Sequence, residues 1–186
     1  MIALEHNKTT TIEIFEWNGQ PRAYPHWQKN MTMVEAMQLS TVPVYQEIAK
    51  RIGLPLMQSE LSRVGYGNKN IGNIIDRFWL DGPLEITPTQ SLDFVTKLSN
   101  KALPFKPEVQ QAVQDMLLIE THPTFKLYGK TGWGTSKPHD VGWIVGWIET
   151  TQDKKIPYVL NMQMKNGMDP NVTKELILAA KQLLKL

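Results

Sequence analysis

The spacing of apolar side chains changes character near residue 120. Before it they recur three or four positions apart, and after it they come in nearly continuous runs. In the first stretch, Thr32-Met33-Val34-Glu35 fits a capping box and predicts a helix through Ala36 to about Leu39. After Pro43, the residues Val44, Ile48 and Ile52 fall on one helical face, and Gly53 predicts its stop. Residues 56–64 predict a third short helix before the loop Gly65-Tyr66-Gly67-Asn68. Thr87-Pro88-Thr89-Gln90 opens another with a cap, a proline at the first position and a glutamine three residues after the cap. Leu92, Val95 and Leu98 (or Ser99) should carry its face. Pro107-Glu108 starts a helix running to about Leu118. Earlier, residues 10–15 form a short β-like run, and Trp17-Asn18-Gly19-Gln20-Pro21 reads as a turn.

In the second stretch, residues 125–132, 141–149 and 156–164 predict three strands. Their short polar connections favour an antiparallel meander. The middle strand, Val141-Gly142-Trp143-Ile144-Val145-Gly146-Trp147-Ile148, is apolar on both faces, which predicts a sheet covered on both sides. Asp169-Pro170 should begin a last helix through Leu176, Leu178 (or Ala179) and Leu183 that lies on the sheet. The pattern is α+β, and residues 1–186 are expected to form a single domain. Met1-Ile2-Ala3-Leu4-Glu5-His6 has neither the basic region nor the long apolar stretch of a signal peptide. It reads like the last turns of a buried helix whose beginning is missing, so a domain incomplete at its amino end is expected.

Composition narrows the classes. Hydrophobic residues make up 41% and charged residues 20%, an ordinary globular balance. A net charge of +2, from 20 basic and 18 acidic side chains without a polybasic run, argues against nucleic acid as a partner. No apolar run reaches the roughly 18 residues that a membrane span needs. With no cysteine, neither a disulfide nor a thiolate metal site can form, and the four histidines have no ligand spacing, so no metal is expected.

Four short motifs could carry chemistry. Lys130-Thr131-Gly132 places a cation, a hydroxyl and a residue without a side chain at a strand end, a combination suited to holding a carboxylate and an amide. A plain strand end is the other reading. Ser40-Thr41-Val42 lies between two helices, where Ser40 is either a proton relay in a cleft or the N-cap of the helix after Pro43. Tyr66-Gly67-Asn68 reads as a tight turn. Trp79-Leu80-Asp81-Gly82 sets an indole before a turn, as a core residue or as a donor into a site.

The order S-x-V, Y-G-N, W-x-x-G, K-T-G, together with the text between these motifs, resembles the oxacillinase family, the class D serine β-lactamases. Within that family it is similar to the carbapenem-hydrolysing branch found in Acinetobacter-like bacteria. The resemblance covers essentially the whole chain. It implies a serine β-lactamase or penicillin-binding transpeptidase-like fold, with a helical half and an antiparallel sheet flanked by helices, here without its first strands and nucleophile helix. It also implies β-lactam hydrolysis through an acyl-enzyme, in which a serine attacks the lactam carbonyl and a carboxylated lysine three residues later is the general base. Ser40 would pass a proton to the departing nitrogen, with Lys130 holding its hydrogen bond. Thr131 and Gly132 would line the substrate, and the Trp133 N–H would supply half of the oxyanion hole. Trp79 would donate to the lysine carbamate, Val42 and Leu80 would control water access, and Tyr24 would overhang the cleft. The parent enzyme would be periplasmic, would confer antibiotic resistance and is compatible with a homodimer. No cofactor is expected beyond the CO2-derived carbamate, on a lysine absent here.

Three positions depart from the family. No serine of the chain has a lysine three residues later, so the S-x-x-K motif is expected just upstream of Met1. Thr173 stands where the family usually carries an arginine, with Lys174 pointing elsewhere on the helix. Thr135 stands where carbapenem-hydrolysing relatives place a methionine. A non-hydrolytic penicillin-sensing domain of the same fold is the alternative function, although such sensors tend to have asparagine where Val42 stands. For the chain alone, no activity is expected.

Overall fold

The structure, a computed structural model, is described over residues 1–134, 140–164 and 172–185. In chain order its first elements are α1 (Ile2–Glu5), β1 (Ile14–Phe15), β2 (Met31–Thr32), α2 (Met33–Gln38), α3 (Val42–Ile52) and α4 (Leu54–Val64). Then come α5 (Pro88–Ser99), α6 (Pro107–Met116), β3 (Leu118–His122), β4 (Phe125–Gly134), β5 (Asp140–Thr150), β6 (Lys155–Met164) and α7 (Val172–Leu184). They form two compact units, Met1–Glu85 with Leu103–Met116, and Ile86–Ala102 with Leu117–Leu186.

The first unit is helical, with β1 and β2 as a small antiparallel pair. Its helices start and stop where local chemistry dictates. Thr32 Oγ1 accepts the Glu35 N–H while the Glu35 carboxylate accepts the Thr32 N–H, closing the capping box of α2. α3 buries Val44, Ile48, Ala49 and Ile52, the face its spacing predicts, and ends at Gly53. In α6 the fully buried Gln110 accepts the Leu103 N–H at 3.1 Å and donates to the carbonyls of Leu103 and Phe105. A buried amide satisfied in this way fixes the turn before α6.

The second unit is a four-stranded antiparallel meander, β3-β4-β5-β6, with α5 packed along β5 and β6 and α7 along β4 and β5. Leu127 sits opposite Ile148, and Ile144 opposite Leu160, so one sheet face gathers Leu127, Ile144, Ile148 and Tyr158 beneath Leu176 and Ala180 of α7. Trp147, adjacent to Ile148 on β5, is also fully buried and stacks on Tyr128 at 4.6 Å. Neighbouring residues of a strand point to opposite faces, so β5 is covered on both sides, as its composition predicts. Gly146 makes the β4–β5 approach possible, because a Cβ there would stand 1.9 Å from the Tyr128 carbonyl oxygen.

Several expectations are corrected. The helix expected to reach Leu118 ends at Met116, and the next residues form β3, so the sheet has four described strands rather than three. Its signal was the turn Pro123-Thr124, which joins His122 to Phe125 in a hairpin. The β-like run at 10–15 pairs only at Ile14 and Phe15. On α5 the inner face holds Ser91, Val95, Leu98 and Ser99, and Leu92 is exposed. On α7 the buried residues are Leu176 and Ala180, while Leu178 and Leu183 face water. The expected faces hold in part, with Val95 and Leu98 on α5 and Leu176 on α7, while the smaller Ser91 and Ala180 pack inward in place of Leu92 and Leu178. Asp169-Pro170 lies outside the described residues.

Candidate active site

The first group of candidate residues is built by the end of α2. The Ser40 N–H donates to the Met37 carbonyl at 3.2 Å and the Thr41 N–H to that of Ala36 at 2.8 Å. Together they make a Schellman termination with Ser40 at the left-handed position, φ 53°. That position favours glycine, and a serine there costs roughly 1–2 kcal/mol. Ser40 is therefore not the N-cap of α3; Thr41 is, and its fully buried hydroxyl makes no hydrogen bond among the described residues. Val42, half-buried, is the first residue of α3.

Trp27 ties Tyr24 to this turn. Its indole N–H donates to the Leu39 carbonyl at 3.0 Å, and its ring meets Tyr24 edge-on at 4.7 Å. His26 stacks on Tyr24 at 5.4 Å and meets the Trp27 ring edge-on at 6.1 Å. Neither Trp27 nor His26 was among the expected site residues. An aromatic cluster at Tyr24, His26 and Trp27 was the signal available in the sequence.

Trp79 and Leu80 are half-buried on a loop anchored by Phe78, which is buried and meets the Trp79 ring edge-on at 4.9 Å. Turns fold the loop tightly: the Leu80 and Asp81 N–H groups donate to the Arg77 carbonyl, and that of Leu84 donates to Phe78. Among the described residues the Trp79 indole N–H makes no hydrogen bond.

The second group lies on β4. Lys130 is half-buried and donates to the Thr131 carbonyl at 2.8 Å. Burial pushes its ammonium down from the ordinary 10.5 to about 8. Thr131 is half-buried opposite Ile144. Gly132 is exposed, and a Cβ there would meet only the Trp143 Cβ at 3.7 Å, an ordinary contact. Packing does not demand a glycine at 132 as it does at 146; the missing side chain leaves an open strand rim. The Trp133 indole donates to Asp140 at 3.2 Å across β4 and β5, a contact that sequence spacing did not reveal. Thr173 and Lys174 are exposed in the first turn of α7, and Thr135 lies outside the described residues.

The half-buried lysine and the open glycine lie on β4 of the sheet unit, and the strained serine lies on the helical unit. Residues 1–184 match the family described as penicillin binding protein transpeptidase domain. β-Lactamase OXA-10 of Pseudomonas aeruginosa is 36% identical over 157 residues, 83% of this chain and 59% of that protein. β-Lactamase OXA-48 of Klebsiella pneumoniae is 34% identical over 169 residues, covering 89% and 63%. Among solved structures, the class D β-lactamase YbXI from Nostoc superimposes with a TM-score of 0.91 at 36% identity, over 100% of this chain and 78% of that one. FUS-1 (OXA-85) from Fusobacterium nucleatum subsp. polymorphum gives 0.90 at 34%, over 98% and 76%. The chain belongs to the class D β-lactamases. It spans about three fifths of the length of the curated relatives it matches.

Proposed function

We propose that the whole enzyme hydrolyses β-lactams through a serine acyl-enzyme and that this chain carries its substrate-facing residues but not its nucleophile. The observation that carries the reading is Lys130, held half-buried at the head of Lys130-Thr131-Gly132 with its ammonium fixed on the strand. A lysine that is still mostly charged at neutral pH but gives up its proton at mildly alkaline pH suits a group that steadies a hydroxyl during proton transfer. In the proposed step Ser40 protonates the departing lactam nitrogen. Thr131 donates to the substrate carboxylate, and the Trp133 N–H supports the developing oxyanion. Val42 and Leu80 limit water, and Tyr24 covers the substrate.

A carbamate on the base lysine supplies the general base when that lysine is present, and the uncommitted Trp79 indole N–H fits the role of its donor. No serine of this chain has a lysine three residues later, so the chain alone is proposed to form no acyl-enzyme. Periplasmic export and a role in antibiotic resistance belong to the same proposal for the whole protein. Carbapenem preference is not part of it, since Thr135 stands where that branch places a methionine and Thr173 where the family usually carries an arginine.

Titrating the labelled chain with benzylpenicillin at millimolar concentration tests the rim. Backbone amide resonances of residues 130–133 should shift progressively, and Lys130→Ala should abolish the shifts. Unperturbed amides at those four residues would count against the reading.

A further inference from the structure

Asn68 spends every polar group of its side chain, and its own backbone N–H, on the turns around it and on the segment that follows Trp79 and Leu80. Its Nδ2 donates to the Pro83 carbonyl at 2.8 Å, and its Oδ1 accepts the N–H of Glu85 at 3.2 Å and that of Asn70 at 3.0 Å. The Asn68 backbone N–H donates to the Glu85 carbonyl at 2.9 Å. Three of these four bonds land on Pro83 and Glu85, directly beyond the loop that Leu84 closes back onto Phe78.

The loop therefore has two fixings. Before Trp79 it is pinned by the buried Phe78 side chain, and after Leu80 it is pinned by Asn68. The backbone around Asn68 is bent to aim it. Gly67 and Lys69 on either side both take left-handed conformations, φ 54° and 62°. The second is a non-glycine residue whose N–H donates to the Tyr66 carbonyl at 3.1 Å and whose carbonyl accepts the Gln58 Nε2 at 2.7 Å, so the strained turn is held on both sides. Asn70 continues the arrangement by accepting the Gly72 N–H at 3.1 Å, and a Cβ at Gly72 would crowd the Pro83 ring at 3.3 Å. Only an asparagine offers a short side chain with one donor for Pro83 and one doubly accepting oxygen for Glu85 and Asn70.

We propose that Asn68 is a positioning residue that holds the loop bearing Trp79 and Leu80 in place. That these two side chains serve β-lactam chemistry rests on the function proposed above; the clamp itself does not.

The test is hydrogen exchange on the full chain, with no β-lactam present, comparing Asn68→Ala and Asn68→Asp with the unaltered protein. In Asn68→Ala the amides of Leu80, Asp81 and Leu84 should exchange at least about tenfold faster, the opening expected when several such bonds are lost. Amides of Leu127, Ile144 and Ile148 should be unchanged. Asn68→Asp keeps the acceptor and loses the donor to Pro83, so it should fall between the two. A 5-fluorotryptophan signal assigned to Trp79 should shift or broaden in the same order. Unchanged loop exchange, or equal acceleration in loop and sheet in both variants, would overturn the proposal. A failure of penicillin to perturb residues 130–133 would leave this result standing and count only against the functional reading.

Discussion

Ser40 and Lys130 both stand at positions that cost stability. Ser40 sits in a left-handed conformation that glycine adopts freely. Comparing Ser40→Gly with Ser40→Ala isolates that cost, because both lose the hydroxyl. In urea unfolding the glycine variant should be more stable by about 1 kcal/mol. Lys130 pays for its burial while charged. Its folded pKa of about 8 lies below the ordinary 10.5, so between those values the unfolded chain binds more protons and stability rises with pH. Below pH 8 the full cost is present. Lys130→Met should therefore exceed the unaltered protein in stability at pH 7, and the gap should close as pH approaches 10.5. A gap that widened with pH would contradict the assignment of burial as the cause. At this scale the sequence offered residue types and order but not conformation. Ser40 could be named as a proton relay or as a cap. Only the backbone shows that it ends one helix and leaves the capping position of the next to Thr41.

The elements divide by how local their causes are. Both capping boxes, the Gly53 stop and the face of α3 follow from neighbours within one turn, and all four were legible. β3 was not, because Leu118 continues the helical spacing and only pairing with β4 makes the segment a strand. Leu92, Leu178 and Leu183 misled for a related reason: hydrophobicity does not say which face of a helix finds a partner. Two glycines of the sheet make the same distinction measurable. Gly146→Ala forces a Cβ to within 1.9 Å of the Tyr128 oxygen and should destabilise by about 3 kcal/mol or more. Gly132→Ala meets only ordinary contact and should change stability by less than about 1 kcal/mol, yet it should weaken penicillin-induced shifts at residues 130–133. Equal costs at the two sites would remove the argument that Gly132 is kept for a ligand.

For the whole molecule, the family was legible because four motifs lie in order over a chain that matches its relatives throughout. What stayed hidden were the contacts that hold those motifs: Trp27 on Leu39, Asn68 on Pro83 and Glu85, and Asp140 under Trp133. Each joins residues whose partnership follows from the fold and not from spacing. The proposal that this chain carries substrate-facing residues of a class D enzyme without an S-x-x-K nucleophile predicts that it forms no acyl-enzyme. Intact-mass measurement after incubation with excess benzylpenicillin tests it most directly. The mass should remain that of the polypeptide alone; a species heavier by one penicilloyl group would overturn the proposal.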